Sequence, residues 1–267
     1  MNKPVRTPML TPGEAPGERG SGTTYEGVSV TERNYQRIAE RIGVDSIKVF
    51  DYENFLIIPY QDFFTESITL DGPWVRSVTG DGVSTGVGAS STLTSGIWDI
   101  SLPSGGGTGA AAYYLRGNTL RSDKSPVLYS RGMKSRIDPA VSACTHVLGF
   151  AVDTFFTAAA ATLDPDDGAY FLFDNDAAAT ERLLARTSNG GTDTTTTLTN
   201  ASYAHGSFFK WRIELTATRC LFYIDDVLVA VHTTNLPTSG DPLTCGARVA
   251  GDNISAYHDY MFGWQTR

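Results

Sequence analysis

The clearest pattern in the chain is an alternation of apolar and polar residues between positions 211 and 232, WRIELTATRCLFYIDDVLVAVH. Successive side chains of a strand point to opposite faces of a sheet, so each alternating run predicts a strand with one buried face. The alternating residues are Trp211, Ile213 and Leu215, then Cys220, Phe222 and Ile224, and, after Asp225-Asp226, Val227, Val229 and Val231. The pattern predicts three strands joined by two tight turns. The residues predicted to face the core are Trp211, Ile213, Phe222 and Val229.

Most of the chain from Ile47 onward consists of short β-branched and aromatic runs bounded by turn residues. Asn189-Gly190 is a hairpin signal that connects one such run to the threonine-rich segment after it. Residues 79–96, TGDGVSTGVGASSTLTSG, predict either a long loop or a pair of edge strands. The other segments predicted as strands are KVFDYENFLIIPYQDFF, SPVLYSRGMKSRI, THVLGFAVDTFF, GAYFLFDND, RLLARTSNGGTDTTTTLT and AYHDYMFGWQTR. At least ten strands without recurring helices predict a mainly β fold, an antiparallel two-sheet sandwich or jelly roll.

Residues 1–28 differ from the rest of the chain because they are rich in proline, glycine, threonine and charged residues, with proline at positions 4, 8, 12 and 16. Such a segment buries too little apolar surface to fold by itself, so it predicts an extended arm that becomes ordered on a partner. Arg6, Arg19 and Tyr25 are the candidate contact residues of this arm.

The next segment, SVTERNYQRIAERIGVD, has the pattern of one short amphipathic helix. Ser29 and Glu32 form a capping box, and Tyr35, Ile38 and Ile42 recur at helical spacing. This apolar stripe is expected to be covered by the domain or by a partner, which makes the same three residues candidates for partner binding. The predicted organisation is an N-terminal arm, a helix with an anchor segment, and a jelly-roll domain, over residues 1–28, 29–70 and 71–267.

Composition and charge exclude several classes of protein. The net charge is -8 with 21 lysines and arginines, which argues against electrostatic binding of nucleic acid over a large basic surface. No apolar run approaches the roughly 20 residues of a membrane helix, and the N-terminus has no apolar leader. Cys144, Cys220 and Cys245 form no C-x-x-C pair. We expect them to be buried free thiols of a protein made in the host cytoplasm, with a disulfide as the alternative.

Three stretches of the chain resemble the concanavalin A-like (laminin-G-like) jelly roll in the form found in bacteriophage virion proteins. They are GAYFLFDND, FFKWRIELTATRCLFYIDDVLVAVHTTNLP and the closing strand HDYMFGWQ. The matching residues are Trp211, Phe222, Tyr223, Ile224, Asp225 and Pro237, whereas Asp226 stands where these domains usually have glycine. The resemblance covers roughly residues 72–267. It implies the fold but no single function, since this fold hosts lectins, hydrolases and structural modules.

Candidate catalytic residues are few. Glycosidases that resemble this chain in fold use two glutamates on one strand, in an E-x-D-x-x-E arrangement, because two carboxylates must flank the glycosidic bond. After Glu66 this chain has only Glu181 and Glu214, far apart and outside such a motif. Gly82-Val-Ser84-Thr-Gly86 matches G-x-S-x-G, but no helix follows it as a nucleophile elbow requires. The sequence predicts no catalytic residue and no enzymatic activity, with an aspartate-only site as the alternative.

The sequence also predicts no cofactor and no metal site. Residues 105–112, GGGTGAAA, predict a flexible loop, and no G-K-[ST] follows them as a phosphate site requires. The carboxylates expected to serve turns rather than calcium are Asp164, Asp166 and Asp167 in LDPDDG, and Asp174 and Asp176 in FDND. The four histidines His146, His205, His232 and His258 contain no H-x-x-x-H pair. We expect His232 and His258 to be framework residues rather than ligands.

The four tryptophans Trp74, Trp98, Trp211 and Trp264 are the candidates for a sugar-stacking platform. Trp211 alternates with core residues, which indicates that it belongs to the core instead. A binding surface for carbohydrate needs aromatic rings and polar groups that face solvent, and the sequence by itself does not say which tryptophans meet that condition.

These observations favour a non-enzymatic structural component of a phage particle. The favoured function is a head decoration or cement protein that is anchored through its N-terminal arm and exposed at the particle surface. Its expected partners are other virion proteins of the capsid or tail, copies of itself and host surface glycans, with no nucleic acid and no membrane. The alternative is a tail, baseplate or fibre component whose jelly roll binds carbohydrate. Binding to glycans distinguishes the two.

Overall fold

The computed structural model describes fifteen parts of the chain. They are residues 24–25, 28–29, 55–62, 74–80, 84–87, 98–102, 109–115, 117, 119–137, 144–159, 162, 164–174, 182–198, 207–251 and 254–266. The chain divides into two compact units, Met1–Ile57 together with Arg267, and Ile58–Thr266. In the first unit, β1 (Thr24–Tyr25) and β2 (Val28–Ser29) pair as an antiparallel hairpin. Within the described residues, no helix is long and apolar enough to cross a membrane.

One sheet of the second unit has seven antiparallel strands. They are β4 (Trp74–Thr79), β7 (Gly109–Leu115), β9 (Thr145–Ala151), β10 (Gly168–Asp174), β11 (Arg182–Asn189), β12 (Thr192–Leu198) and β16 (Thr244–Gly251). Their order across the sheet is β12-β11-β10-β9-β16-β7-β4. β9 to β12 pair consecutively, whereas β9 also pairs with β16, which is distant in sequence, so a long-range contact joins this meander to the rest of the sheet.

The other sheet has eight strands. They are β3 (Phe55–Asp62), β5 (Ser84–Val87), β6 (Trp98–Leu102), β8 (Val127–Ile137), β13 (Phe208–Leu215), β14 (Cys220–Ile224), β15 (Val227–His232) and β17 (Ile254–Thr266). Seven of them follow the order β15-β14-β13-β8-β17-β6-β5. The predicted mainly β, antiparallel two-sheet sandwich is therefore confirmed. The arm over 1–28 and the helix predicted after Ser29 lie, except for β1 and β2, outside the described residues.

The two sheets enclose one large apolar core, and the residues predicted to face it do so. Trp211 and Ile213 are 2% and 1% exposed, Phe222 is fully buried, and Val229 packs against the same cluster at its margin. The Trp211 ring meets Phe171 of the opposite sheet edge to face at 5.1 Å, and its indole N–H donates to the Gly132 carbonyl at 3.1 Å. Buried Trp N–H groups need such a partner, so this bond fixes the ring orientation. Cys144, Cys220 and Cys245 are buried thiols, as predicted.

Two of the three predicted hairpin turns are formed by residues with positive φ. Asp225 and Asp226, between β14 and β15, have φ angles of 48° and 65°. Two successive left-handed residues form the turn type whose twist matches that of paired strands, and aspartate tolerates this conformation. The second turn, between β11 and β12, is formed by Gly190 and Gly191, also with positive φ. The Asn189-Gly190 hairpin signal is thus confirmed.

Two expectations are wrong in detail. Residues 109–112 of the predicted flexible loop belong to β7, where Ala110, Ala111 and Ala112 are 2% exposed or less. Alanine and glycine have low strand propensity, but burial between neighbouring strands overrides it. The segment THVLGFAVDTFF is a strand only as far as Ala151, and a helical turn, α1 (Asp153–Phe156), follows. Phe155 and Phe156 are both buried, which a strand with one solvent face does not allow.

The turn α1 and the residues after it cover the outer face of the seven-stranded sheet. There Arg248 is 1% exposed and donates to the carbonyls of Ala158, Ala159 and Thr162. Its guanidinium lies 4.7 Å from the centre of the Phe155 ring. Burial lowers the pKa of Arg248 to about 10. The part of this face over β7 and β16 is therefore covered by the chain itself.

Candidate functional site

The outer face of the eight-stranded sheet presents its side chains in ordered rows, because the paired strands place partner residues on the same face. One row runs across five strands as Leu228, Tyr223, Arg212, Tyr129 and Phe262. The next row runs as Val231, Leu221, Glu214, Val127 and Trp264. On β13 these residues alternate with the core residues Trp211, Ile213 and Leu215, which confirms that they point away from the core.

Exposure falls along both rows from the edge of the sheet towards its middle. Leu228 is 49% and Val231 is 51% exposed on β15, whereas Phe262 is fully buried and Trp264 is 5% exposed on β17. Between them Tyr223, Arg212 and Glu214 are half-buried. The accessible half of the face therefore lies over β13, β14 and β15, and aromatic and charged groups meet there.

Arg212 is the centre of this accessible half. Its guanidinium lies 3.7 Å from the centre of the Tyr223 ring, and its Nη1 donates to the Tyr129 hydroxyl at 3.0 Å. Its Nε lies 3.5 Å from the Glu214 carboxylate, and the Tyr223 hydroxyl donates to the same carboxylate at 3.5 Å. Burial raises the pKa of Tyr129, and the neighbouring Arg212 opposes that shift. An ion pair flanked by two tyrosines is thus held in one orientation at the surface. We call Tyr129, Arg212, Glu214 and Tyr223 the Arg212 cluster.

A further row of charged residues adjoins the Arg212 cluster. Lys210 and Arg131 face each other across β13 and β8. Lys210 pairs with Asp226 at 3.3 Å, and Arg131 pairs with Asp259. The outer face therefore combines balanced charge with aromatic rings, so it suits a neutral polar ligand better than a strongly charged one.

The residues considered for catalysis are not assembled into a catalytic site in the described part of the chain. Glu214 is engaged by Arg212 and Tyr223, and Glu181 lies outside the described residues. Ser84 of the G-x-S-x-G match begins β5, a strand at the edge of the sheet, instead of sitting between a strand and a helix.

His146 and His258 form a buried polar link between the two sheets. Their Nε2 atoms lie 3.1 Å apart, and His258 Nδ1 lies 3.1 Å from Ser130 Oγ. The Ser130 hydroxyl donates to the Tyr260 carbonyl, so His258 Nδ1 must donate to Ser130 Oγ. A neutral His258 then has an unprotonated Nε2, which accepts the hydrogen bond that His146 Nε2 donates. Both rings are therefore neutral framework groups. Burial lowers the pKa of His146 well below its usual range, and that of His258 to about 3.

His232 makes a second link of the same kind. Its Nδ1 lies 3.1 Å from Thr187 Oγ1, which donates to the Thr234 carbonyl, so the histidine is the donor. Its Nε2 accepts from Thr196 Oγ1 at 2.9 Å. The expectation that His232 and His258 are framework residues is confirmed, and His146 joins them. His205 lies outside the described residues.

The aspartates of LDPDDG serve turns and ion pairs. Asp164 pairs with Arg186, which also lies 3.2 Å from Asp193. Asp167 accepts from the Gly190 backbone N–H at 2.8 Å and so ties this loop to the β11–β12 turn. Among the described residues no group of three or more metal-ligating side chains is close enough to hold an ion. The side chains of Asp174 and Asp176 lie outside that part.

The tryptophans divide between core and outer face. Trp74 and Trp211 are core residues, and Trp74 stacks on Tyr113 at 5.3 Å. Trp264 is on the outer face but is almost fully buried, where it contacts Tyr129 and Phe262. No side-chain position is described for Trp98. The aromatic ring that sequence reasoning missed is Tyr223, because alternation gives its face but not its exposure.

The residues predicted to bind partners through the arm and helix cannot be placed. Arg6, Arg19, Tyr35, Ile38 and Ile42 lie outside the described residues. Tyr25 lies in β1, opposite Val28, without a described side chain. Their role in anchoring stays a prediction.

Comparison with solved structures identifies the fold. No family model and no curated protein sequence matches the chain. The carbohydrate recognition domain of Emp47p has a TM-score of 0.52 and 14% identity, over 81% of this chain and 98% of that one. The catalytic domain of an endo-1,3-beta-glucanase (laminarinase) from Thermotoga petrophila RKU-1 has a TM-score of 0.51 and 11% identity, over 80% and 98%. The chain has a concanavalin A-like jelly-roll fold.

A third structure supports the same assignment. It belongs to the endo-acting O-glycanases that members of the human gut microbiota express. Its TM-score is 0.54 with 9% identity, over 79% of this chain and 100% of that one. At such identities the likeness establishes the jelly-roll architecture alone, since this fold carries both enzymes and binding domains. A bacteriophage origin, which the sequence resemblance implies, stays a prediction.

Proposed function

We propose that this jelly roll is a non-catalytic carbohydrate-binding domain whose ligand surface is the accessible half of the eight-stranded sheet, around the Arg212 cluster. The observation that carries the proposal is the half-buried Tyr223 ring beside the Arg212–Glu214 ion pair. A sugar ring has an apolar face of C–H groups and a rim of hydroxyls. The first packs on an aromatic ring, and the second bonds to planar guanidinium and carboxylate groups.

Two further observations support a carbohydrate ligand. The charges of this face are balanced, with Lys210 and Arg131 each paired to an aspartate, which fits a neutral hydroxyl-rich ligand. The structures similar in fold include a carbohydrate recognition domain and glycan-hydrolysing enzymes by their own descriptions. The absence of activity is proposed from the sequence, because the chain lacks the E-x-D-x-x-E arrangement of hydrolases with this fold.

The experiment is a glycan array probed with the full chain, followed by calorimetric titration of the oligosaccharides that bind. Tyr223→Ala is expected to weaken binding by at least about tenfold, because it removes the stacking surface. Tyr223→Phe keeps the ring and loses only the hydroxyl bond to Glu214, so it should weaken binding less. Thr195→Ala, at an exposed position of β12 on the other sheet, is the matched control. Absence of any bound glycan, or equal affinities for Tyr223→Ala and Thr195→Ala, would contradict this function.

We propose as a second candidate that the chain is a structural component of a phage particle, such as a head decoration or cement protein anchored through residues 1–28. The exposed apolar side chains Val227, Leu228 and Val231 favour this candidate, since such patches mark protein contacts. A chain that starts at Val44 should still fold but should not join purified particles. Its retention at normal copy number would contradict anchoring by the arm. Carbohydrate binding by the domain is compatible with display on a particle.

A further inference from the structure

Three large apolar side chains on one strand are exposed to solvent. Val227 is 64%, Leu228 is 49% and Val231 is 51% exposed, all on β15 at the edge of the eight-stranded sheet. Val78, on β4, is the other large hydrophobic residue that is exposed in the described part of the chain, at 39%. Exposed apolar residues that cluster in this way mark contact surfaces, whereas scattered ones do not. Val227 pairs with the core residue Ile224, so it lies at the margin of the opposite face of β15 from Leu228. We call Leu228 and Val231 the β15 patch.

A β-bulge creates the β15 patch. The register between β14 and β15 shifts so that Phe222 faces Ala230 but Tyr223 faces Leu228, which leaves Val229 as the extra residue. In a regular strand, residues 228 and 231 would point to opposite faces. The bulge turns both to the outer face, where Leu228 adjoins Tyr223 and Val231 adjoins Leu221. It also keeps Val229 packed against the core.

The same bulge argues against a partner strand that extends the sheet. Bulges on edge strands interrupt the row of unpaired backbone groups and so hinder edge-to-edge pairing. A partner is therefore expected to pack on the apolar face of β15, side chain against side chain. This geometry selects a partner with its own exposed apolar surface.

The charges at the two ends of the patch indicate that this partner is a second copy. Asp225 and Asp226 form the turn before Val227, and both are exposed. Asp226 also pairs with Lys210, and Asp225 accepts from the Lys210 backbone N–H, so the turn carries a net charge of about -1 together with Lys210. At the other end, the pairing of Cys220 with His232 places the exposed Arg219 beside the end of β15. When two copies lie antiparallel about a two-fold axis, the acidic turn of each faces the Arg219 end of the other. Such self-complementarity is what an isologous interface requires.

We propose that the chain forms a two-fold dimer through the β15 patch, with Leu228 and Val231 at its apolar centre and Arg219 facing Asp225 and Asp226 of the other copy. Stable interfaces bury about 800 Å² per partner. Two side chains supply only the centre of such an area, so the dimer should be reversible and should form in the micromolar range. The dimer rests on other observations than carbohydrate binding, but Leu228 adjoins Tyr223 on the same face, so a second copy and a ligand compete for part of this surface.

The test is sedimentation equilibrium of the full chain at loading concentrations from roughly 1 µM to roughly 500 µM. The expected result is a monomer–dimer equilibrium. The double variant Leu228→Ser with Val231→Thr should weaken it at least about tenfold, because it removes the apolar centre. Val78→Thr removes a similar exposed side chain from the other sheet and should leave the equilibrium unchanged. Both residues of the double variant are exposed, so unchanged circular dichroism should show that it folds.

A charge variant tests the antiparallel arrangement separately. Arg219→Glu should weaken the dimer about fivefold by placing like charges together, and adding Asp226→Asn should recover part of the loss. A monomer at every concentration would overturn the proposal and assign the β15 patch to a different partner. A dimer that the double variant leaves intact would overturn it as well. Either result leaves glycan binding by Tyr223 and Arg212 to be judged on its own titrations.

Discussion

The Nε2 atoms of His146 and His258 lie 3.1 Å apart in the interior, and each ring belongs to a different sheet. The pair is a hydrogen-bonded bridge through a largely apolar core, in which His232 and Thr187 make a second such link. Both rings must stay neutral, because a proton added to His258 Nε2 would face the proton that His146 donates. The link therefore makes the sandwich sensitive to acid.

The free energy of unfolding should fall as the pH drops below about 6.5. The pKa of each histidine is lower in the folded chain than in the unfolded one, so the unfolded state takes up protons first, and stability present at neutral pH is lost towards the folded pKa. Each ring should contribute about 1 kcal/mol between pH 7.5 and pH 5.5, or about 2–3 kcal/mol for the pair. Urea unfolding at the two pH values measures this loss.

His146→Gln is the control for that measurement, because its amide N–H can still donate to His258 Nε2 but does not titrate. Between the two pH values, the free energy of unfolding of this variant should fall by about half as much as that of the unmodified chain, because only one titrating ring of the pair remains. Equal unfolding free energies of the unmodified chain at pH 7.5 and pH 5.5 would show that the bridge does not control stability.

Truncating the inter-sheet core should be severe. Phe222→Ala or Trp211→Ala should lower the free energy of unfolding by about 3–5 kcal/mol, because each leaves a cavity among Phe171 and its neighbours. Leu228→Ala is the control on the adjacent strand, and it should cost less than about 1 kcal/mol because the side chain is already half exposed. Denaturant titration of the variants measures the loss of unfolding free energy in each. Similar losses for Phe222→Ala and Leu228→Ala would mean that the register of β14 and β15 is wrong.

The β14–β15 turn should respond to the backbone preference of residue 226. Asp226 has a φ of 65°, a conformation that β-branched residues rarely adopt, so Asp226→Val should cost about 1–3 kcal/mol. Asp226→Asn tolerates the same φ and loses only the surface ion pair with Lys210, so it should change stability by less than about 1 kcal/mol. Thermal unfolding of the two variants provides the measurement, and equal melting temperatures would contradict the left-handed turn.

The chain should not hydrolyse polysaccharides. Glu214, the glutamate of the proposed ligand surface, lies in an ion pair with Arg212 and lacks the glutamate motif of hydrolases with this fold. Incubation with a 1,3-β-glucan and with mucin O-glycans should release no product above a blank. Turnover that disappears in Glu214→Gln or Ser84→Ala would show that the domain is an enzyme.

The sequence is informative where one physical preference acts locally. Alternation placed Trp211, Ile213 and Phe222 in the core, because a strand has only two faces and one of them is buried here. Turn chemistry located both hairpins for a similar reason, since few residues accept positive φ at Asp226 or at Gly190. Local preference misjudged residues 109–112, where burial on both faces of β7 outweighs the low strand propensity of alanine.

By itself, the sequence determined the mainly β class, the strands with one buried face, and the lack of a recognisable catalytic motif. Only the tertiary structure decided which groups meet. The bulge at Val229 turns Val231 outward, although alternation groups it with Val229, because one extra residue reverses every later side chain. The His146–His258 bridge and the Arg212 cluster likewise join residues of different strands. Strand order and register bring such groups together, and these depend on the packing of the whole sandwich.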